Sequence, residues 1–320
     1  MCLYSYQNKG SQMSFTKFKY YSSNSLISLI PASLFRLYAK RKLKAYDENE
    51  QSDIQARVKY YNKIIEQFEV GNKGTKVGSF KKTSGTTYYF DLLKVIKGFP
   101  SNFAFHYLNG DVRHVPDEPT FVKSRPISDD NGNSVILKLN AIRHFYFVRD
   151  KLSFEAKKNM VAWRGVGFQP RRQVVLQKFH DHPMCNIGQT RPLDGNPWEK
   201  EFMSIEEQLT YKFLLAIEGN DVATNLKWAM SSNSLVLMSK PTCETWFMEG
   251  RLKAGIHYVE VADDYSDLIE KMEYYIAHPE EAESIIKNAH AWVVQFRDQK
   301  RERLISLLVA KKYFEKSGQM

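Results

Sequence analysis

The 320-residue sequence has few cysteines, no long apolar run and no acidic residue in its first 46 positions. Three widely spaced cysteines (Cys2, Cys185 and Cys243) form no disulfide framework, which favours a reducing compartment. No stretch reaches the ~18 consecutive apolar residues of a transmembrane helix, and the short apolar segment 26–31 lacks the features of a signal peptide. We therefore expect a cytoplasmic protein.

Several ligand motifs are also missing. The sequence contains neither a G-x-G-x-x-G nor a Walker motif, which disfavours binding of a dinucleotide or ATP. The segment 180–185 contains two histidines and a cysteine, but its spacing matches no structural zinc site. The sequence therefore predicts neither a metal site nor a bound cofactor.

The position of the charge is more informative than its net value of +10. Residues 1–46 carry eight basic residues and no acid, which leaves about +2 (10 − 8) for the rest of the chain. A nucleic-acid-binding protein is expected to hold its charge on a folded face, whereas a basic arm fits an anionic membrane surface. We expect no nucleic-acid partner, poor order over residues 1–25, and a basic amphipathic helix over 26–43. That helix either packs on the body of the protein or contacts a membrane.

The pattern of apolar residues becomes more regular after Trp163. From there strands alternate with helices over about 100 residues, which predicts an α/β fold with a parallel, Rossmann-like sheet. The predicted strands cover residues 86–90, 103–108, 135–139, 213–217, 234–238 and 257–261. The predicted helices cover residues 53–68, 204–212, 222–230, 264–276 and 279–296.

Two short segments could bind an anionic ligand. Glu218-Gly219-Asn220-Asp221 follows a predicted strand, where α/β sheets bind ligands. Trp163-Arg164-Gly165-Val166-Gly167 precedes Arg171 and Arg172. Glycine allows close approach of the backbone to a ligand, and an arginine fork can bind a diphosphate. Either pattern alone is more often structural.

A third segment could supply a carboxylate. The loop Gly110–Pro119 contains Asp111 and is stiffened by prolines, and Lys123-Ser124-Arg125-Pro126 follows it. A carboxylate held on such a loop could act as a general base. An aspartate that satisfies the N–H groups of a turn is the more common explanation.

These segments, in this order, resemble glycosyltransferase family 90, which includes capsule-associated and lipopolysaccharide-modifying enzymes and the eukaryotic protein O-glucosyltransferases. The resemblance covers roughly residues 75–300, and its most specific stretch is 217–268. The pieces GDVRHVP, KSRP, VAWRG and YKFLLAIEGN support it. The best fit is to bacterial members that modify the lipopolysaccharide core.

The resemblance implies a GT-B fold, in which two Rossmann-like domains face each other across a cleft, and inversion at the anomeric carbon without a metal. The lack of any D-x-D pair agrees with the last point. The family resemblance also implies that Asp111 is the catalytic base and that the donor is a UDP-linked sugar. The donor-binding residues that it implies are Gly165, Val166, Arg171, Arg172, Asn220, Asp221, Val222, Ala223, Thr224 and Asn225. Val166 and Asn225 stand where many eukaryotic relatives have serine and arginine, and Arg171 or Lys227 could replace those contacts.

Four parts of the chain are predicted. They are a basic arm (residues 1–45), an acceptor-side domain (46–155), a donor-binding domain (156–296) and a C-terminal helix (297–320) that packs back on the acceptor-side domain. The expected acceptor is lipopolysaccharide core or a related glycolipid at the inner membrane, which the basic arm would contact. Two alternatives stay open: transfer to a protein hydroxyl, and a non-catalytic module that binds a polyanion or a membrane.

Overall fold

The computed structural model describes residues 11–46, 52–83, 85–190 and 195–320 of the chain. The chain divides into two compact units: unit 1 contains Met1–Ile142 and Asp298–Met320, and unit 2 contains Arg143–Arg297. The sequence predicts the main domain division at 155/156 and the start of the C-terminal helix at residue 297. Residues 1–10, which include Cys2, lie outside the described residues.

The elements of both units are numbered in chain order. The helices are α1 (Ser11–Leu29), α2 (Ala32–Lys44), α3 (Ser52–Tyr61), α4 (Thr86–Ile96), α5 (Ala141–His144), α6 (Pro170–Phe179), α7 (Ile205–Gln208), α8 (Leu226–Ala229), α9 (Leu268–Ala277), α10 (Pro279–Val294) and α11 (Gln299–Lys316). The strands are β1 (Thr75–Lys76), β2 (Ala104–Tyr107), β3 (Thr120–Val122), β4 (Ser124–Pro126), β5 (Ser134–Ile136), β6 (Lys158–Gly165), β7 (Cys185–Gln189), β8 (Tyr211–Leu215), β9 (Leu235–Met238), β10 (Cys243–Thr245) and β11 (Val259–Glu260).

Unit 1 is built on a sheet with the strand order β1-β2-β3-β5. Strands β2, β3 and β5 are parallel, and β1 is antiparallel to β2. On β3, the ring of Phe121 contacts Phe105 of β2 and also Tyr313 and Phe314 of α11. The C-terminal helix therefore contributes to the core of unit 1.

The sequence predictions for unit 1 need three corrections. Residues 86–90, predicted as a strand, begin α4, because buried positions continue at helical spacing through Ile96 and outweigh the local β preference of the aromatic run. Residues 11–29, predicted to be mostly poorly ordered, form α1. Helix α3 ends at Tyr61 instead of residue 68, because the Asn62 side chain bonds Ile64 N–H and the Val309 carbonyl.

Unit 2 contains the predicted parallel sheet, so the α/β class is confirmed. Its strand order is β11-β9-β8-β6-β7, and every pair is parallel. All residues of β8 and β9 are buried, which is typical of parallel strands covered on both faces. The capping box of Ser204 and Glu207 is present, but α7 ends at Gln208, short of the predicted residue 212, and β8 begins three residues later.

The strand order of unit 2 reverses beside β6. Strand β7 pairs with β6 on one side, whereas β8, β9 and β11 follow in turn on the other side. The carboxyl ends of β6 and β8 therefore flank a topological switch point. In open α/β sheets, this is where ligands bind.

Candidate functional site

Both segments that the sequence predicts to bind an anion lie at the switch point of unit 2. Strand β6 ends at Gly165, and the residues Glu218–Asp221 follow β8. Helix α6 begins at Pro170, because proline suits the first position of a helix, where no N–H partner is lost. Its first turn carries Arg171 and Arg172, so two cationic side chains project from an element that directly follows β6.

Arg172 connects the two strand ends. Its Nη1 donates to the Val166 carbonyl at 2.9 Å, and its Nη2 donates to the Ile217 carbonyl at 3.2 Å. A longer bond of 3.4 Å reaches Gln169 Oε1. A guanidinium has five N–H donors. These contacts use three of them, and Nε finds no acceptor among the described residues.

Arg172 lies against an aromatic ring and is influenced by a second positive charge. Its guanidinium carbon lies 5.6 Å from the ring centre of Trp163, a cation–π contact. Burial, followed by the charge of Arg143, lowers the pKa of Arg172 from its ordinary value. Arginine stays charged at neutral pH even so. The result is a half-buried positive charge at the carboxyl edge of the sheet.

Two glycines at this edge lie close to other side chains of the protein. A Cβ added at Gly219 would lie 2.8 Å from Arg172 Nη2, so a side chain here would displace the end of the arginine. A Cβ at Gly165 would lie 2.6 Å from the Trp163 ring. Contacts within the protein are therefore enough to explain Gly165 and Gly219, without the ligand that the sequence interpretation places beside them.

Arg171 belongs to a separate ion-pair network. Its Nη1 lies 3.0 Å from Glu218 Oε2, and its Nη2 lies 3.5 Å from Asp263 Oδ1. Glu218 also accepts hydrogen bonds from the Thr242 hydroxyl at 2.6 Å and the Thr242 N–H at 2.9 Å. This network joins the segments after β8, β9 and β11. Sequence reasoning identified Arg171 but missed the bracing role of Glu218, whose partners are distant in the chain.

The segment 220–225 is a loop, and the predicted helix 222–230 is reduced to the four residues of α8. So short a helix offers little dipole to a ligand. Asn220 is exposed, Thr224 is half-buried, and Asn225 Nδ2 donates to the Leu215 carbonyl at 2.9 Å. The side chains of the other three are buried: Asp221, Val222 and Ala223. Val222 and Ala223 can therefore offer a donor only their backbone groups.

Lys227 does not replace the contacts of Asn225. Its side chain is fully buried, and Nζ lies 2.5 Å from Oε1 of Glu249, which is equally buried. Glu249 also accepts from the Thr245 N–H at 2.6 Å. The expectation that Lys227 could bind the donor is wrong, because its ammonium is buried and paired with Glu249.

In unit 1, Asp111 lies at the corresponding edge of the other sheet. It sits in the loop between β2 and β3, four residues after β2 ends. The side chain of Asp111 is 28% exposed. An open pocket is lined by Leu108, Asn109, Asp111, Val112, Arg113 and His114. Asp111 is therefore accessible at the carboxyl ends of parallel strands, as ligand-binding residues of such sheets commonly are.

The K-S-R-P segment anchors this loop, which sequence reasoning did not foresee. Lys123 Nζ lies 2.5 Å from Asp111 Oδ1, and Ser124 Oγ donates to the Val112 carbonyl at 3.1 Å. Arg125 is fully buried and donates to the carbonyls of Tyr60 and Ser134. Three successive side chains thus tie the Asp111 loop and the neighbouring segments together.

The nearby acids are placed differently. Glu118 is 61% exposed, and its carboxylate lies 2.9 Å from His106 Nε2. Asp117 is exposed. Both lie beyond the pocket that contains Asp111. Asp111 is thus the carboxylate that lines this pocket.

The polar side chains of residues 180–185 make contacts within the protein. His182 Nδ1 accepts from the Met184 N–H at 3.2 Å, and Cys185 is buried in β7. Within the described ranges, no group of three or more histidine, cysteine or acidic side chains is arranged to hold a metal ion.

The described part of the basic arm packs against the rest of unit 1. On α2, Phe35 and Ala39 are buried, and the Tyr38 ring lies 4.4 Å from the guanidinium carbon of Arg303. On α1, the Tyr20 hydroxyl donates to Asp91 Oδ1 at 3.0 Å. Large apolar side chains nevertheless remain exposed along both helices and the turn between them: Phe18, Tyr21, Leu26, Leu29, Ile30, Leu34 and Leu37. Over the described part of the chain, no helix is both long and apolar enough to cross a membrane.

Comparison with known proteins gives matches that cover most of the chain. Residues 140–301 match the family model described as Glycosyl transferase family 90, and this match contains the whole switch-point region. The chain is 43% identical over 302 residues to O-glucosyltransferase LpsA of Dichelobacter nodosus, which covers 93% of this chain and 95% of that protein. It is also 38% identical over 91 residues to the uncharacterized protein 179R of Invertebrate iridescent virus 6, covering 26% of this chain and 8% of that protein.

Proposed function

The chain belongs to glycosyltransferase family 90, and from this membership we propose that it is an inverting enzyme that transfers a sugar from a UDP-linked donor to a hydroxyl of lipopolysaccharide core. The name of the bacterial relative supports a glucosyl group and an oxygen acceptor. The observation that carries the proposal is the charged fork of Arg172 at the switch point of a parallel sheet.

We propose the following division of roles. Asp111 in unit 1 accepts the proton of the acceptor hydroxyl as that oxygen attacks the anomeric carbon. The bond from the anomeric carbon to the diphosphate oxygen breaks, and the diphosphate keeps the electron pair. Arg172 in unit 2 stabilises the negative charge that develops on the diphosphate, so that no metal is required. One carboxylate is enough for this single displacement.

The remaining donor contacts follow from the placement of the strand-end residues. The Val166 carbonyl accepts a bond from Arg172, and Gly165 directly precedes Val166. Residues 220–225 follow Ile217, whose carbonyl accepts the other bond from Arg172, and they offer their backbone groups. Arg171 forms ion pairs with Glu218 and Asp263, so we assign it a supporting role in the site and not a contact with the diphosphate. The GT-B type of two Rossmann-like domains is part of this proposal, since it assigns donor and acceptor to different domains.

A thermal-shift screen against UDP-, GDP- and CMP-sugars tests the donor. A ligand at a hundredfold excess over its Kd stabilises by about 2.7 kcal/mol, so UDP-glucose should raise Tm by roughly 5–10 °C. The shift should persist in EDTA because the proposed site needs no metal. A shift that appears only with Mn²⁺ or Mg²⁺ would contradict the metal-independent mechanism. A preference for GDP- or CMP-sugars would contradict the proposed nucleotide.

Transfer assays separate the acceptors. Radiolabelled UDP-glucose is incubated with deacylated lipopolysaccharide core, with an unfolded polypeptide rich in serine and threonine, and with water alone. Label in the core oligosaccharide supports the proposal, whereas label only in the polypeptide supports protein O-glycosylation. Donor binding without transfer or hydrolysis would leave a binding module as the better description.

We also propose that the basic arm contacts the cytoplasmic face of the inner membrane. Leu29 is 79% exposed, and the exposed Leu34 and Leu37 lie on α2, the helix whose end carries four exposed cations. Those cations are Lys40, Arg41, Lys42 and Lys44. An apolar surface flanked by cations fits an anionic bilayer. Because Phe35 and Ala39 are buried, deletion of the arm is expected to destabilise unit 1, so surface substitutions are the better test.

Replacing both Arg41 and Lys44 by glutamine should weaken binding to phosphatidylglycerol-containing vesicles by about 25-fold. This figure follows from roughly 1 kcal/mol per basic residue near an anionic surface. Vesicle co-sedimentation at 0.1 M salt measures it. The control replaces Lys81 and Lys82, two exposed lysines of unit 1 outside the arm. Equal loss of binding in both double variants would reject a specific role for the arm.

A further inference from the structure

Lys123 is one of the buried charged side chains of unit 1. It is 2% exposed, and its ammonium lies 2.5 Å from Oδ1 of Asp111. The hydroxyl of Tyr88, in the first turn of α4, lies 3.4 Å from the same oxygen. Taking an ammonium out of water is costly unless an opposite charge compensates it. Here the compensating charge is the carboxylate that we assign as the base.

We propose that Lys123 is a positioning residue for sugar transfer, which holds the carboxylate of Asp111 through Oδ1 and favours its ionised form. This inference rests on the proposed role of Asp111. An opposite charge at hydrogen-bond distance stabilises a carboxylate against protonation and restricts its rotation. A carboxylate has about four lone-pair sites, so contacts at Oδ1 are compatible with an acceptor hydroxyl.

The fold explains why these two residues meet. Lys123 directly follows β3, and the Asp111 loop follows β2, its parallel neighbour, with Tyr107 opposite Phe121 in the register. The carboxyl ends of parallel neighbours lie at the same edge of a sheet. Ser124 holds the carbonyl of Val112, the next residue after Asp111. Loop and carboxylate are thus fixed by two successive side chains of one rigid segment.

The proposed step leaves Lys123 chemically unchanged. The proton of the acceptor hydroxyl passes to Asp111, the acceptor oxygen bonds to the anomeric carbon, and the diphosphate leaves with the electron pair. Lys123 keeps its proton throughout. Replacement of Lys123 should therefore lower kcat. It should not change the affinity for the donor, because we assign donor binding to residues of unit 2.

The first variant is Lys123→Met, which keeps much of the length but removes the charge. With UDP-glucose and deacylated lipopolysaccharide core, kcat should fall about 10- to 100-fold, as expected when a reacting group is misplaced by about 1 Å. The Kd for UDP-glucose should stay within twofold of wild type. Lys123→Arg should retain more activity than Lys123→Met, since it keeps the positive charge.

A double variant separates positioning from a general loss of structure. Adding Lys123→Met to Asp111→Asn should lower kcat by less than about twofold more, because a residue that acts only through Asp111 has nothing left to act on. The matched control is Lys157→Met. Lys157 is also buried and lies 2.7 Å from a buried aspartate, Asp150, within unit 2. Its loss should lower Tm without lowering the kcat of the folded fraction.

The outcomes decide between the two proposals. If Asp111→Asn is fully active, the assignment of the base is wrong. If Asp111→Asn is inactive but Lys123→Met has a kcat within twofold of wild type, or the two effects multiply, only the role of Lys123 is overturned. Asp111 is 28% exposed, so water can hydrate its charge and Lys123→Met is expected to fold. Should it not fold, Lys123→Gln replaces it with the same expected fall.

Discussion

Asp111→Asn should lower sugar transfer by about 10²–10⁴-fold, the usual contribution of general base catalysis. The asparagine side chain has the same size and can still accept a hydrogen bond through its carbonyl oxygen. It cannot take up the proton of the acceptor hydroxyl. Initial rates with UDP-glucose and deacylated lipopolysaccharide core measure the effect.

The same substitution should leave the binding of the donor almost unchanged. Asp111 belongs to unit 1, whereas the residues that we assign to the nucleotide belong to unit 2. The Kd for UDP-glucose, measured by calorimetry, is therefore expected to stay within about twofold, a change of less than 1 kcal/mol. A parallel fall in donor affinity would show that Asp111 also contacts the sugar nucleotide.

Two controls show whether the loop or the residue is responsible. Asp117→Asn changes an exposed acid six positions along the same loop and should keep nearly full activity. Glu118→Gln removes the partner of His106 and tests the second neighbouring acid. If Asp111→Asn transfers sugar at a rate close to wild type while one of these variants does not, the base has been assigned to the wrong carboxylate.

The sequence predicts the sheet of unit 2 well because its strands are continuous apolar runs. Residues 213–215 and 235–238 lie in the strands expected over 213–217 and 234–238, and each is buried. Burial on both faces leaves a strong signal in a single sequence. Helix α10 begins at Pro279 as expected, since proline marks the first position of a helix.

Several elements of unit 1 are too short to be predicted from the sequence. Strands β3 and β4 have three residues each, which is too few for a periodic pattern. Without β3, nothing in the sequence indicates that Lys123 lies beside Asp111. In α4, Tyr88, Tyr89 and Phe90 favour a strand by local preference, and packing of the helix face decides otherwise.

The donor residues are only partly accessible to sequence reasoning. Glycines and arginines at a strand end indicate an anion site, and Arg171 and Arg172 are both found at the switch point. Which of them is available depends on partners that are distant in sequence, such as Glu218 and Asp263 for Arg171. The side chains of Val222 and Ala223 are buried, although the family resemblance implies a contact of this segment with the donor.

Arg172→Ala should weaken donor binding by about 10²-fold or more and should affect the acceptor little. The substitution removes the charge that we assign to the diphosphate, and hydrogen bonds of a charged group contribute about 1.5–3 kcal/mol each. It also removes the bonds to the carbonyls of Val166 and Ile217, which connect the ends of β6 and β8. Calorimetry with UDP and with UDP-glucose measures the loss.

Arg172→Lys should restore only part of this affinity. One ammonium can carry the charge, but it lacks the planar fork that reaches two carbonyls and still presents N–H groups to an anion. The matched control is Arg164→Ala at the end of β6. Arg164 donates to the Asn186 carbonyl at 2.7 Å and the Glu201 carbonyl at 3.0 Å, on the side of β7. That variant is expected to keep the Kd for UDP within about threefold, or less than 1 kcal/mol.

A loss of affinity could also arise because the two strand ends separate when Arg172 is removed. The Tm of the unliganded protein and the relative affinity for uridine and UDP distinguish the two causes. If Arg172 contacts the diphosphate, Arg172→Ala should weaken binding of UDP far more than binding of uridine, which has no phosphate. If the arginine only braces the loops, both ligands should be weakened alike. Unchanged affinity for UDP would assign the diphosphate to Arg171, whose bonds to Glu218 and Asp263 would then have to open when the donor binds.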